Sequence, residues 1–260
     1  MHPVPIERLA DPRARPDAGA FLQDGFDVDT HWHAHDMHQI QYAFDGSIEV
    51  EDARSRYLAP RQLAAWIPAG VAHRTRLHDV RSGSLLFKPQ MIPDAGERVR
   101  IVPVPPLMRE MIIGAMRWPL SQPQDAVGRA YFAAFALLCA EWIGQEAPLW
   151  LPTTQEPRLR AAAAHTRERL ADADFASACG VAGMSERTLR RRFRRDLGMT
   201  WEAYRRRARL LRAVELLSET PVPIGAVAAQ TGFESQSAFA KAFGELMGET
   251  PRAFRARMTR

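Results

Sequence analysis

Gly183-Met-Ser-Glu-Arg-Thr-Leu-Arg-Arg-Arg-Phe193 reads as a turn residue, a cap and a helix in immediate succession. Gly183 permits a tight left-handed turn that a side chain would resist. Ser185 is a good N-cap, because its hydroxyl can accept from a backbone N–H one turn on. Leu189 and Phe193 stand one helical turn apart and must face inward, which sends Arg187, Arg190, Arg191 and Arg194 outward. An arginine fork matches the O6/N7 edge of guanine with two parallel bonds, worth about 1–3 kcal/mol of base discrimination. The N-terminal part of such a helix meets base edges, so Arg187, Arg190 and Arg191 are the expected base readers. Arg194 and Arg195 are expected on phosphate or in solvent.

The same logic recurs about 50 residues later. Phe175, Ala178, Cys179 and Gly183 match Ile224, Val227, Ala228 and Gly232. Leu189, Phe193, Gly198, Thr200 and Tyr204 match Phe239, Phe243, Gly248, Thr250 and Phe254. Each unit is a short helix, a glycine turn (Gly183 or Gly232) and a second helix with an i, i+4 apolar pair, the pattern of a helix-turn-helix. The second recognition helix, Ser235-Gln-Ser-Ala-Phe-Ala-Lys-Ala-Phe243, is far less charged. Gln236, Ser237 and Lys241 face outward there and suit adenine, guanine or phosphate. Two recognition helices on one rigid domain call for half-sites about one DNA turn, ~34 Å, apart.

Charge follows the same division. Residues 158–260 hold 20 Lys/Arg and 11 Asp/Glu, a net of +9, whereas residues 1–157 hold 15 and 19, a net of −4. A basic module joined to a mildly acidic one is the electrostatic footprint of a nucleic-acid binder with a partner domain. Cys139 and Cys179 form no paired motif, which argues against a disulfide framework. Residues 1–15 lack the apolar core of a signal peptide, and Ala130 to Ala140 is too short to span a bilayer. The expected location is the cytoplasm, with no membrane partner.

On the motifs Gly183 to Phe193, Arg209-Leu-Leu-Arg-Ala213, Gly232-Phe-Glu-Ser-Gln-Ser-Ala-Phe239 and Gly248-Glu-Thr-Pro251, residues 158 to 257 resemble the DNA-binding domain of the arabinose-regulator (AraC) family. The resemblance implies seven helices, with a linker helix holding the two units. It also implies a double-stranded operator, activation or repression of transcription, and RNA polymerase as a further partner.

The N-terminal text is different in kind. Short β-forming runs (Ile40–Phe44, Ser47–Val50, Arg56–Leu58, Leu63–Ile67, Leu85–Phe87) alternate with turn residues, which reads as an all-β barrel or sandwich. The fold class is therefore α+β. The expected order is a flexible arm over 1–20, a barrel over 21–100, and helical packing or dimerisation text over 101–146. A linker over 147–157 then leads to the DNA-binding domain over 158–260. The helix expected at 125–143 is apolar all round and is either a core element or a homodimer face.

Four of the eight histidines fall in His31-Trp-His-Ala-His-Asp-Met-His38. On a strand, His31, His33 and His35 would share a face. His33-x-His35 with Gln39 and Gly46, followed by Pro68-x-Gly70-x-x-His73, resembles the two motifs of the cupins. That resemblance implies a pocket of His33, His35, Gln39 and His73. Imidazoles with an oxygen ligand suit a divalent transition metal. Two positions depart from the pattern: Gln39 stands where the family has Glu, and Gln62 where a Gly is usual. The open alternatives are a metal site, a metal-free small-molecule pocket, or hydrogen-bonded core histidines. His31 and His38 are expected at the periphery; His2, His78 and His165 are expected on the surface. The leading expectation is a transcription regulator, not an enzyme, responding to a small-molecule or metal effector. The competing one is a metal-dependent cupin dioxygenase or isomerase with an accessory DNA domain.

Overall fold

A computed structural model describes residues 15–258. The described residues divide into two compact units, residues 15–52 with 57–149, and residues 53–56 with 150–258.

The first unit is built on antiparallel strands β1 (Ala18–Asp29), β2 (His38–Ala43), β3 (Ser47–Asp52), β4 (Ser55–Pro60), β5 (Leu63–Ile67), β6 (His73–Phe87) and β7 (Arg100–Pro103). Strand β6 organises them. Its first half pairs with β3 (Asp52 opposite His73, Val50 opposite Thr75), and its second half pairs with β2 (Gln41 opposite Ser84). Strand β1 follows its other edge, with register shifts around Phe26. One long strand thus pairs with β1, β2 and β3 within a single sheet, in keeping with the antiparallel all-β reading of this unit. Helices α1 (Pro106–Ala115) and α2 (Ala126–Trp142) cover one face. Ile40, Tyr42, Trp66, Leu85 and Phe87 meet Met108, Ile112, Phe132, Phe135 and Trp142 in a single apolar core. The alternate residues of β2 and β6, among them Gln39, Gln41, Ser82 and Ser84, are buried on the opposite face. Polar side chains there must find partners inside the unit.

Several boundaries differ from expectation. Residues 1–14 of the expected arm lie outside the described residues, but Ala18–Ala20 are strand, paired with Leu85–Phe87. The sheet runs past residue 100, because Ile101 and Val102 supply the buried edge opposite Ala64 and Ala65. The expected linker is ordered: Trp150–Pro152 is a strand, β8, and Leu151 is buried in the core of the second unit. Helix α2 buries Phe132, Phe135, Ala136, Cys139 and Trp142, so it is a core helix, yet Val127 and Leu137 stay 62% and 75% exposed.

The second unit has seven helices among the described residues: α3 (Pro157–Glu168), α4 (Phe175–Ala182), α5 (Glu186–Leu197), α6 (Trp201–Glu219), α7 (Ile224–Gln230), α8 (Gln236–Met247) and α9 (Pro251–Met258). Phe193 packs edge-on against Tyr204, and Phe239, Phe243 and Phe254 stack in sequence. Four helix ends are closed by glycines with positive φ or by the turns that hold them: Gly183, Gly198, Gly232 and Gly248. Among the described residues the one non-glycine with positive φ is Gln62, at 66°. This is the position where a glycine was expected by resemblance.

Candidate nucleic-acid interface and histidine cluster

Helix α5 is capped as its sequence requires, with the Ser185 hydroxyl accepting from the Thr188 N–H at 3.4 Å. Leu189, Phe193 and Leu197 are buried. Arg187, Arg190, Arg191, Arg194 and Arg195 are exposed and, with Glu186, line a shallow depression of about 870 Å³. The arginines are not equivalent. Arg190 lies 4.2 Å over the Phe175 ring and pairs with Glu202 at 2.9 Å and Glu186 at 3.7 Å. Arg195 and the half-buried Arg192 both pair with Asp196. Among the described residues Arg187, Arg191 and Arg194 make no ion pair. They stand at i, i+4 and i+7, one stripe along the helix. The expected base reader Arg190 is thus held by its own fold: Phe175 and Glu202 give the guanidinium a planar seat and a counter-charge. The free set is Arg187, Arg191 and Arg194.

Helix α8 repeats the scaffold. The Ser235 hydroxyl accepts from the Ala238 N–H at 3.1 Å, Phe239, Ala242 and Phe243 are buried, and Gln236, Ser237 and Lys241 are exposed. Its outward face carries one formal positive charge.

Both turns are braced by an arginine to which the sequence assigned no role, although Arg209 opens one of the family-like motifs. Arg158 donates from Nε to the Ala182 carbonyl at 2.8 Å and from its terminal nitrogen to the Gly183 carbonyl. Arg209 donates to the Leu170 carbonyl at 2.8 Å and to the Ala171 carbonyl at 3.1 Å, beside the Gly232 turn and 6.0 Å from the Phe233 ring centre. Burial lowers the Arg209 pKa, and Arg205 lowers it further. The repeat carries the signal that could have found them, because Arg158 and Arg209 occupy matching helices, α3 and α6. His165, expected on the surface, is half-buried and bonded to the Ser177 hydroxyl at 3.1 Å.

In the first unit, residues 31–37 are a loop rather than a strand, so shared strand parity does not gather the histidines. A backbone bridge does: His33 N–H donates to the His73 carbonyl at 3.0 Å, and the reverse bond is 2.9 Å. The ligand-type atoms of His33, His35 and His73 lie within 4.8 Å of one another. His31 is exposed and contributes only its carbonyl. His38 is buried rather than peripheral: its ring packs 5.4 Å from Trp66, and its Nδ1 accepts from the Ala69 N–H at 2.9 Å. The side chain of His78 and the whole of His2 lie outside the described residues.

Each ring of the cluster is oriented through Nδ1. The partners are the carbonyls of His31 at 2.8 Å for His33, Met37 at 2.6 Å for His35 and Val71 at 2.9 Å for His73. A carbonyl only accepts, so each Nδ1 carries a proton, and in a neutral ring this leaves the lone pair on Nε2. Burial pushes the His73 pKa down to about 3, against the Val71 bond, with His35 and His33 lowering it further. Burial also lowers that of His35, opposed by the bonds to Gln39 and Met37. Gln39 is buried beside them, its Oε1 placed 2.9 Å from His35 Nε2 and its Nε2 placed 2.9 Å from the Ser84 hydroxyl. The two ends of an amide are assigned from their partners. A lone pair at His35 Nε2 calls for a donor, so the amide turns its NH₂ to the ring and accepts from Ser84 with its oxygen. Gln39 therefore touches the cluster through a donor, where a Glu would touch it through an acceptor.

Residues 178–257 match a family model described as a helix-turn-helix domain. The chain is 24% identical over 228 residues to the transcriptional regulator NimR of Escherichia coli K12, covering 87% of this chain and 82% of that protein. It is 35% identical over 101 residues to the arabinose operon regulatory protein of the same organism, covering 38% of this chain and 35% of that protein. Among solved structures, the DNA-binding domain of the global transcriptional factor AdpA in complex with a target DNA is 32% identical, with a TM-score of 0.37, over 38% of this chain and 91% of that one. The two Escherichia coli relatives are named as regulators, which runs against the enzyme alternative. No helix among the described residues is long and apolar enough to cross a membrane. Residues 178–257 are thus similar to the DNA-binding, helix-turn-helix parts of transcription regulators such as the arabinose operon regulatory protein.

Proposed function

We propose that this chain is a sequence-specific transcription regulator whose N-terminal unit holds a divalent transition-metal ion at His33, His35 and His73. One observation carries the metal half. Three imidazoles converge with every Nδ1 anchored to a main-chain carbonyl. Anchoring of the second ring nitrogen is how metal-ligating histidines are fixed in tautomer and direction. Burial favours the neutral ring at His35 and His73, the protonation state a metal needs. When bound, the ion supplies a Lewis-acidic centre for an effector. The Gln39 carbonyl would be at best a weak further ligand, because its NH₂ end already faces His35.

The DNA half rests on Arg187, Arg191 and Arg194, the stripe left unpaired on α5. Lys241, Gln236 and Ser237 supply the second, weaker contact. The exposed Val127 and Leu137 on α2 support a homodimer through that face, with sedimentation at two concentrations as the check.

The test combines metal analysis with DNA binding. Full-length protein is loaded with zinc or cobalt, and its affinity for a duplex selected from random DNA is measured with and without the ion. About one ion per chain, lost in His73→Ala, is expected, together with a several-fold change in duplex affinity. Duplex binding that is indifferent to the ion, or metal content unchanged in His73→Ala, contradicts it. A metal-free pocket is favoured instead by one contact, the Gln39 amide that already occupies His35 Nε2.

A further inference from the structure

We propose that the cluster takes its effector as a small carboxylate, which completes the ion's ligands while the Gln39 amide N–H donates to a carboxylate oxygen. The inference rests on the ion-binding reading above and names the chemical class of the effector.

Charge is the first argument. Among the described residues, the only histidine, cysteine or acidic group placed to hold a metal is the trio of His33, His35 and His73, and no carboxylate joins it. Asp52 stands opposite His73 in the sheet, but its carboxylate accepts from the Tyr57 hydroxyl at 3.0 Å and the Val99 N–H at 3.4 Å. A ligand set of imidazoles with no carboxylate leaves both charges of a divalent ion without an anionic ligand, beside the buried rings of His35 and His73. A buried charge without a partner is costly. An anionic ligand from solution removes that cost, and a neutral one does not.

The second argument is the donor at position 39. A Glu there would coordinate the ion and cancel one of its charges. Gln39 does neither. The amide lies 2.9 Å from His35 Nε2 and 2.9 Å from the Ser84 hydroxyl, and the His35 tautomer assigns its NH₂ to the ring and its oxygen to Ser84. Once an ion takes that lone pair, the Gln39 N–H is left at the edge of the ligand space without an acceptor. A carboxylate supplies one oxygen to the ion and an acceptor to the amide. Further along the same buried wall, Gln41 and Thr75 bond to each other at 3.3 Å. The wall is amide and hydroxyl, so the ion is the positive charge that would draw an anion in.

Cobalt-loaded full-length protein, titrated with acetate and followed by its visible absorption, tests the inference. Acetamide serves as the neutral control of the same shape. Acetate is expected to shift the spectrum saturably, and acetamide to leave it unchanged. Gln39→Glu is expected to keep the cobalt and bind acetate at least about tenfold more weakly, because one buried charged hydrogen bond is lost and a like charge is added. Gln39→Ala keeps the site neutral and is expected to lose about fivefold or more, on the lost bond alone. A spectrum indifferent to acetate, an equal response to acetamide, or unchanged acetate affinity in both variants overturns the inference. Failure to bind cobalt at all instead overturns the ion-binding reading on which it stands.

Discussion

The two helix-turn-helix halves share one scaffold and present opposite surfaces. In both, a serine caps the recognition helix, two buried residues stand at i, i+4, a positive-φ glycine shapes the turn and an arginine lies against that turn. Outward, α5 offers a stripe of arginines, whereas α8 offers Gln236, Ser237 and one lysine. Packing constrains the inward positions of both halves alike, because a recognition helix must dock the same way in each. The outward positions are free of that constraint, so they can diverge in what they bind. The first half offers the bidentate donors that suit guanine and phosphate, and the second offers fewer charged donors.

The glycine turns should separate the halves most strongly. A Cβ on Gly232 would come within 2.8 Å of the Ala171 backbone as well as 2.6 Å of the Arg209 guanidinium, whereas on Gly183 it would meet the end of the Arg158 side chain at 2.7 Å. An arginine tip can swing away; a backbone cannot. Both substitutions to Ala carry the left-handed penalty of about 1–2 kcal/mol, and Gly232→Ala should lose about 1–2 kcal/mol more by steric strain, read from thermal or urea unfolding. Equal losses would mean that the turns are braced alike.

Next in size is Arg191→Ala. Loss of a bidentate base contact should weaken a selected duplex by about 1–3 kcal/mol and random DNA by much less. Arg190→Ala should behave otherwise, because its guanidinium is committed to Phe175 and Glu202. It should weaken selected and random duplexes together and only by a few-fold, and Glu202→Gln should reproduce part of that loss. A sharp loss of base preference in Arg190→Ala would return it to the reading set. The smallest effect belongs to the second half. Lys241→Ala should lower the slope of log K against log salt by about one and leave base preference intact.

The helical half was legible because its rules are local. Caps, glycine turns and i, i+4 pairs are set by neighbours in the chain, and a repeat shows them twice. What was hidden there depended on contacts across elements: Glu202 and Phe175 on Arg190, and the arginines on the turns. The barrel was legible as strands but not in its extent. Strand β1 starts in Pro- and Asp-rich text that reads as a loose arm, and the long β6 includes charged residues such as Arg74 and Arg76 that break its alternation for the eye. The motif resemblance grouped His33, His35 and His73, whereas strand parity would have added His31. His31 does not join them, because the loop backbone and the His33–His73 bridge, rather than strand parity, bring the rings together. Gln39 was recognisable as a departure from the cupin pattern, yet its Ser84 partner lies 45 residues away and only the register of β2 on β6 brings them together.

The unequal division of labour is most directly tested by the ratio of selected-duplex to random-duplex affinity in two double variants of the full chain. Arg187→Ala with Arg191→Ala should collapse that ratio towards one. Gln236→Ala with Lys241→Ala should lower overall affinity and keep most of the ratio. The reverse result, discrimination lost with the second pair and kept with the first, would contradict the assignment of base reading to α5.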